Sequence, residues 1–185
     1  LNRPKKPALI LAGVAILVLS GCSSPATTTA GKDPNMDHVQ ASAELDEILK
    51  IAQDAIGGEW KNLDGGASPC ALPSGGQGVQ YGFGRTGPGV PLDQQKAIED
   101  LVVTEWTARE FAPVVGSQSL EDIVYTTVRY PETGYGVDGL YLDFRLGERG
   151  SAISGQTRCV PGDYRQINKD YQAERNSTLT PAPTP

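Results

Sequence analysis

One histidine, one methionine, two tryptophans and three phenylalanines are all that 185 residues hold of these types. Each scarcity removes a class of chemistry. With His38 as the sole imidazole, no multi-histidine metal site can form, and a serine or cysteine nucleophile has a single candidate base in the whole chain. The three cysteines contain no Cys-x-x-Cys pair, which removes the dithiol redox motif and the zinc ribbon. There is no Gly-x-Ser-x-Gly elbow. The glycine-rich stretch Gly82-Phe83-Gly84-Arg85-Thr86-Gly87 lacks both the following apolar helix of a dinucleotide fold and the Lys-Ser/Thr of a phosphate loop. Positive charge is short as well: 16 Lys and Arg stand against 22 Asp and Glu, a formal charge of −6, which argues against nucleic acid as a partner.

Long apolar runs are the next absence, with one exception. Ala8 to Leu19 is an unbroken apolar stretch, preceded by Arg3, Lys5 and Lys6 and followed by Ser20 and Gly21. A membrane-spanning helix needs about 20 apolar residues. A basic region, a shorter apolar run and small residues behind it predict a cleaved signal peptide, the alternative being an uncleaved anchor. Leu19-Ser20-Gly21-Cys22 resembles a bacterial lipobox. That resemblance implies cleavage between Gly21 and Cys22, with diacylglycerol on the Cys22 sulfur and an acyl chain such as palmitate on its amine. Each buried CH₂ contributes about 0.8 kcal/mol, so two or three chains anchor durably where one does not. The expected location is the extracytoplasmic face of a cell membrane. Losing three basic residues with the leader takes the formal charge from −6 to −9.

Composition divides the remainder. Residues 22–36 are rich in Ser, Thr, Pro, Ala and Gly and predict a flexible tether; Thr27-Thr28-Thr29 is the place for O-linked sugar if it is anything more than a spacer. Residues 172–185 end in Pro, Thr and Ala and predict a disordered tail. Between them, 37–171 is the right length for a single domain.

Within that domain, Asp37 and Gln40 have capping-box spacing, and Leu45, Ile48, Leu49, Ala52 and Ile56 form a helical stripe that Gly57-Gly58 stops. His38 falls in the first turn and reads as an incidental exposed side chain. Val79, Tyr81 and Phe83 alternate in a strand over 78–85. A long helix opens at Pro91 or Leu92 and closes before Pro113, its stripe being Ile98, Leu101, Val102, Glu105, Ala108 and Ala112, with Trp106 flanking it as a core residue or a carbohydrate platform. Glu121 to Val160 then reads as a three-stranded antiparallel meander. The fold class is α+β, an antiparallel sheet of about four to five strands with two helices on one face.

Setting Cys22 aside for lipid leaves Cys70 and Cys159, which should pair in an exported domain. With these residues placed, the chain resembles the mycobacterial LppA-type lipoproteins of the actinobacterial envelope. The likeness rests on the lipobox at Cys22, Ala55-Ile56-Gly57 with Trp60 after it, Cys70, Tyr81-Gly82, Phe111-Ala112 and Ile153-Ser154-Gly155-Gln156-Thr157-Arg158-Cys159. It implies location, disulfide and fold, and names no activity or ligand. Function is therefore expected to be non-enzymatic binding of an envelope component. The alternative is carriage or sensing of a small apolar ligand or lipid, with Tyr81, Phe83, Trp106, Tyr141 and Phe144 as the facing aromatics. No catalytic residue, metal ligand or cofactor is assigned. A catalytic carboxylate pair is arithmetically possible from Glu121, Asp122, Asp138 and Asp143, which lie in or near strands, and solvated strand edges explain them as well.

Overall fold

The computed structural model of the chain describes residues 35–120 and 123–179. The leader, Cys22, nearly all of the tether, Glu121, Asp122 and residues 180–185 lie outside the described residues.

Helix α1, His38–Ile56, begins as its first four residues dictate. The Asp37 carboxylate accepts from the backbone N–H of Val39 and Gln40, both at 2.9 Å, and the Gln40 side chain accepts from the Asp37 N–H at 2.9 Å. Gly57, at φ 72°, ends it in a conformation that costs glycine little. Ala41, Leu45, Ile48, Leu49 and Ala52 are its buried stripe. Helix α2, Leu92–Ala108, starts behind Pro91 and closes in a Schellman motif, in which Phe111 N–H donates to Trp106 C=O (3.1 Å) and Glu110 N–H to Thr107 C=O (2.9 Å). Its buried face differs from the expected one. Gln95, Val102 and Trp106 point inward while Leu101 is 45% exposed, because burying the indole removes more apolar surface than burying Leu101 would.

Among the described residues eight strands form one antiparallel sheet, more than the four to five expected: β1 Lys61–Asn62, β2 Ala67–Ala71, β3 Gln77–Gly87, β4 Val114–Leu120, β5 Ile123–Tyr130, β6 Tyr141–Leu146, β7 Ser151–Gln156 and β8 Val160–Pro161. Their order is β1-β3-β7-β6-β5-β4, with β2 and β8 also pairing β3. Strand β3 is the axis. Its second half pairs with β1 and β7, its first half with β2 and β8, and the pairing on each side slips by one residue between the halves. The single last strand expected over 151–160 is thereby divided into β7 and β8. Strand β4 has no counterpart in the sequence reading: all seven of its residues are exposed, so no apolar alternation marks it. A third helix, α3, Tyr164–Leu179, was likewise not expected, and it carries regular structure past residue 172, where the tail was expected to start. Asp163 opens it by accepting from the N–H of Arg165 (2.9 Å), and Gln166 bonds Asp170 one turn on (2.8 Å).

Register decides the layers. Leu142, Phe144 and Leu146 of β6 stand opposite Tyr130, Val128 and Thr126 on one side and Gly155, Ile153 and Ser151 on the other. This face carries the main core with Leu45, Ile48, Leu49, Val102 and Trp106 from α1 and α2. At Gly155 a Cβ would lie 2.7 Å from Leu45 Cδ1, so the bare backbone is what lets α1 sit down on β7. A smaller cluster of Ala41, Ala67, Val79 and Val160, with Ile167 and Tyr164 against it, seats α3 on the same side. Cys70 and Cys159 are disulfide-bonded with 5.9 Å between their Cα atoms. They join the ends of the strands flanking β3 at Gly78, where an added Cβ would meet Cys159 Sγ at 2.9 Å.

Candidate functional site

The five aromatics expected to share a pocket are spread over three environments. Trp106 and Phe144 are fully buried in the main core and line no cleft. Tyr141 lies on the opposite sheet face from Phe144, as three residues along a strand require. There it meets Tyr135 edge-on at 5.6 Å and the Arg129 guanidinium at 5.4 Å.

Tyr81 and Phe83 alone keep the expected arrangement. Both project from β3 to the helical side, and with Ser42 of α1, the backbone of Gly65-Gly66 and Ile167 and Tyr171 of α3 they line a cleft of about 280 Å³. Their rings are tilted with centroids 6.3 Å apart, and Arg85 sits 5.3 Å from the Phe83 ring centre. Burial pushes the Tyr81 phenol above its ordinary pKa of 10.0. His38, expected to be exposed, is half-buried with its Nδ1 hydrogen-bonded to the Tyr81 hydroxyl at 3.0 Å. It fastens the start of α1 to β3. Tyr171 and Ile167 enter through α3, which only a faint apolar periodicity marks, although Asp163 and Gln166 repeat the spacing of Asp37 and Gln40.

The polar groups around this cleft are already committed. Arg85, 4% exposed, is ion-paired with Asp46 of α1 at 2.7 Å and with Asp64. It also closes one side of an open trough of about 520 Å³ along α1, whose charges pair with one another, Lys50 with Asp54 at 2.7 Å among them. Asp138 is held by Arg158 and accepts from Leu140 N–H at 3.1 Å. Each of these carboxylates is thus taken up by a cation, Asp46 and Asp64 by the same guanidinium. Among the described residues no group of three or more His, Cys, Asp or Glu is placed to hold a metal ion.

On the face away from the helices a second site is exposed. Tyr125, Thr127 and Arg129 of β5 line up there beside Asp143 and Arg145 of β6, and Asp143 is 3% exposed because both arginines cover it, Arg145 at 2.8 Å and Arg129 at 3.1 Å. Asp143 and burial together raise the Tyr141 phenol above its ordinary value, burial being the larger cause. Thr86, Ala152, Arg145, Tyr125, Gln118 and Leu120 line one hollow of about 330 Å³. They come from five strands in succession, so the sheet curves and this open face is its concave side.

No protein-family model and no curated protein matches the chain. Among solved structures the chain is similar to a DUF4853 family protein from Actinomyces odontolyticus, at 20% sequence identity over 66% of this chain and 67% of that one, with a TM-score of 0.44. A likeness at that level carries no argument about function. No helix among the described residues is long and apolar enough to cross a membrane.

Proposed function

We propose that this protein is a lipid-anchored, extracytoplasmic envelope lipoprotein of the LppA-like kind that acts as a non-enzymatic binding module, with the concave open face of the sheet as its binding surface. The anchor is Cys22, reached through the tether. The observation that carries the binding reading is the one-sided placement of the helices: α1, α2 and α3 pack against the core face, and β3-β7-β6-β5-β4 present Tyr125, Arg129, Tyr141 and Arg145 on the other. A face with aromatic rings and arginines held by a buried carboxylate has the composition of protein-recognition surfaces. Cross-linking in intact envelopes tests it. The full chain should capture a reproducible set of envelope components that the double variant Tyr125→Ala/Arg145→Glu does not. Equal capture by the two would sink the reading.

The second reading, carriage of a small apolar ligand, is supported by the Tyr81–Phe83–Tyr171 cleft. Its volume of about 280 Å³ sits at the lower end of ligand pockets and suits one ring better than an acyl chain. Titration of the full chain with a fluorescent fatty acid and with a single-ring aromatic separates these. Saturable binding of the single-ring aromatic, or of the fatty acid, that is lost in Phe83→Ala would favour carriage over the open-face module, and saturation by neither would remove it.

A further inference from the structure

The two edges of the sheet are treated differently. An edge strand offers unpaired N–H and C=O groups to any other strand, and proteins ordinarily block it with charge, proline, interruption or cover. The β1/β2 edge has all of these. Lys61 is charged, β1 and β2 are separate short pieces, Pro69 withholds a donor, and α3 lies against β2, where the Asn168 amide takes both backbone groups of Ala67. Among the described residues the β4 edge has none. Val114-Val115-Gly116-Ser117-Gln118-Ser119-Leu120 contains no charge and no proline, pairs with β5 over its whole length without a bulge, and all seven residues are exposed.

The sequence of β4 is also complementary to itself. Placed antiparallel about a two-fold axis at Ser117, Val114 faces Leu120, Val115 faces Ser119, and Gly116 faces Gln118. Residues that face one another in this register lie on the same side of the sheet. Val114 (40% exposed) and Leu120 (61%) would thus cover each other twice, once at each end, on the concave face. No like charges meet across the seam, although the chain as a whole carries a formal charge of −6. Gln118 and Leu120 already line the concave hollow. In this pairing Gly116 and Val114 of the second copy continue its floor.

We propose that the β4 edge is a self-association surface: two copies of this chain pair antiparallel through Val114–Leu120, joining their sheets into one and extending the concave face across the seam. The inference does not depend on the lipid anchor or on what the face binds.

The test uses the full chain carrying Cys22→Ser in mild detergent. Sedimentation should show a monomer passing to a dimer as concentration rises, and Ser117→Lys, which sets two lysines directly opposite each other with Cβ atoms about 5 Å apart across the axis, should abolish the dimer while circular dichroism stays unchanged. Ser117→Cys in the same background should give a disulfide-linked dimer on oxidation, and Gly116→Cys, which faces Gln118, should give far less. A monomer at every concentration overturns the proposal. So does a dimer that Ser117→Lys leaves intact, or one that forms no bond at position 117.

Discussion

The side-chain amide of Asn168 lies against the backbone of Ala67 as a strand would: its Oδ1 accepts from the Ala67 N–H at 3.0 Å and its Nδ2 donates to the Ala67 carbonyl at 2.8 Å. The two residues are 101 apart in sequence. One side chain of α3 thereby satisfies a sheet edge and ties the third helix to the domain.

Asn168→Ala should therefore act on α3 and β2 together. Losing two hydrogen bonds to the backbone of the buried Ala67 costs about 1–3 kcal/mol, read as a lower urea midpoint at constant slope. Amide exchange should speed up at Ala67 and along α3 and stay unchanged in β5 and β6. Uniform acceleration across the sheet would show that α3 does not open as a local unit.

Glu110 stands at φ 64° in the position of the α2 Schellman motif that glycine ordinarily takes. A left-handed conformation costs a residue with a Cβ about 1–2 kcal/mol, part of which glycine returns through its freer unfolded chain. Glu110→Gly is expected to stabilise by about 0.5–1 kcal/mol, raising the melting temperature by a few degrees. Glu110→Ala should not.

The Cys70–Cys159 bond closes a loop with a sequence separation of 89. Chain entropy alone predicts about 4 to 5 kcal/mol for a loop of that length. The double variant Cys70→Ala/Cys159→Ala should lose a large part of this in chemical denaturation. An unchanged midpoint would mean that α3 and the β3 pairings hold the two halves without it.

Tyr141, alongside Tyr81, whose phenol pKa burial also raises, gives the pH dependence. Its folded pKa is raised above the ordinary 10.0, by burial first and then by the Asp143 carboxylate. The folded state therefore holds the phenolic proton more tightly than the unfolded chain. The resulting stability is present in full below about pH 10 and is lost as pH climbs through the folded pKa. Urea midpoints between pH 8 and 11 should fall at the alkaline end, and Tyr141→Phe should flatten that fall. An equal slope in the variant would place the alkaline loss elsewhere.

Much of the fold was legible in local pattern. The Asp37/Gln40 cap, the Ala41–Ala52 stripe, the Gly57 stop and the alternations around Tyr81 and Leu142 each report a contact a few residues away or a strand with one wet and one dry face, and such patterns survive in the linear chain. Strand β4 was not legible, because an exposed edge of Ser, Gly and Gln has no dry face to mark it. Helix α3 was missed through its high polarity: over residues 164–173 only Tyr164, Ile167 and Asn168 are partly buried, so its stripe is faint although its Asp163 cap is plain. In the candidate site, Tyr81 and Phe83 stayed together because two residues along a strand share a face. Trp106, Tyr141 and Phe144 separated because their facing depends on which side of α2 and of β6 the core falls.

By itself the sequence determined the elements near β3 and the α+β class, since these follow from residue spacing, and it pointed to the pairing of Cys70 with Cys159 once the lipobox resemblance had set Cys22 aside. Only the tertiary structure decided that all three helices share one face, that Asn168 closes one edge of the sheet while β4 leaves the other open, and that the concave side is uncovered. The reason is physical. Periodicity records whether a side chain is buried, but which partner buries it is set by register and packing between segments as far apart as Ala67 and Asn168, and no local pattern carries that information.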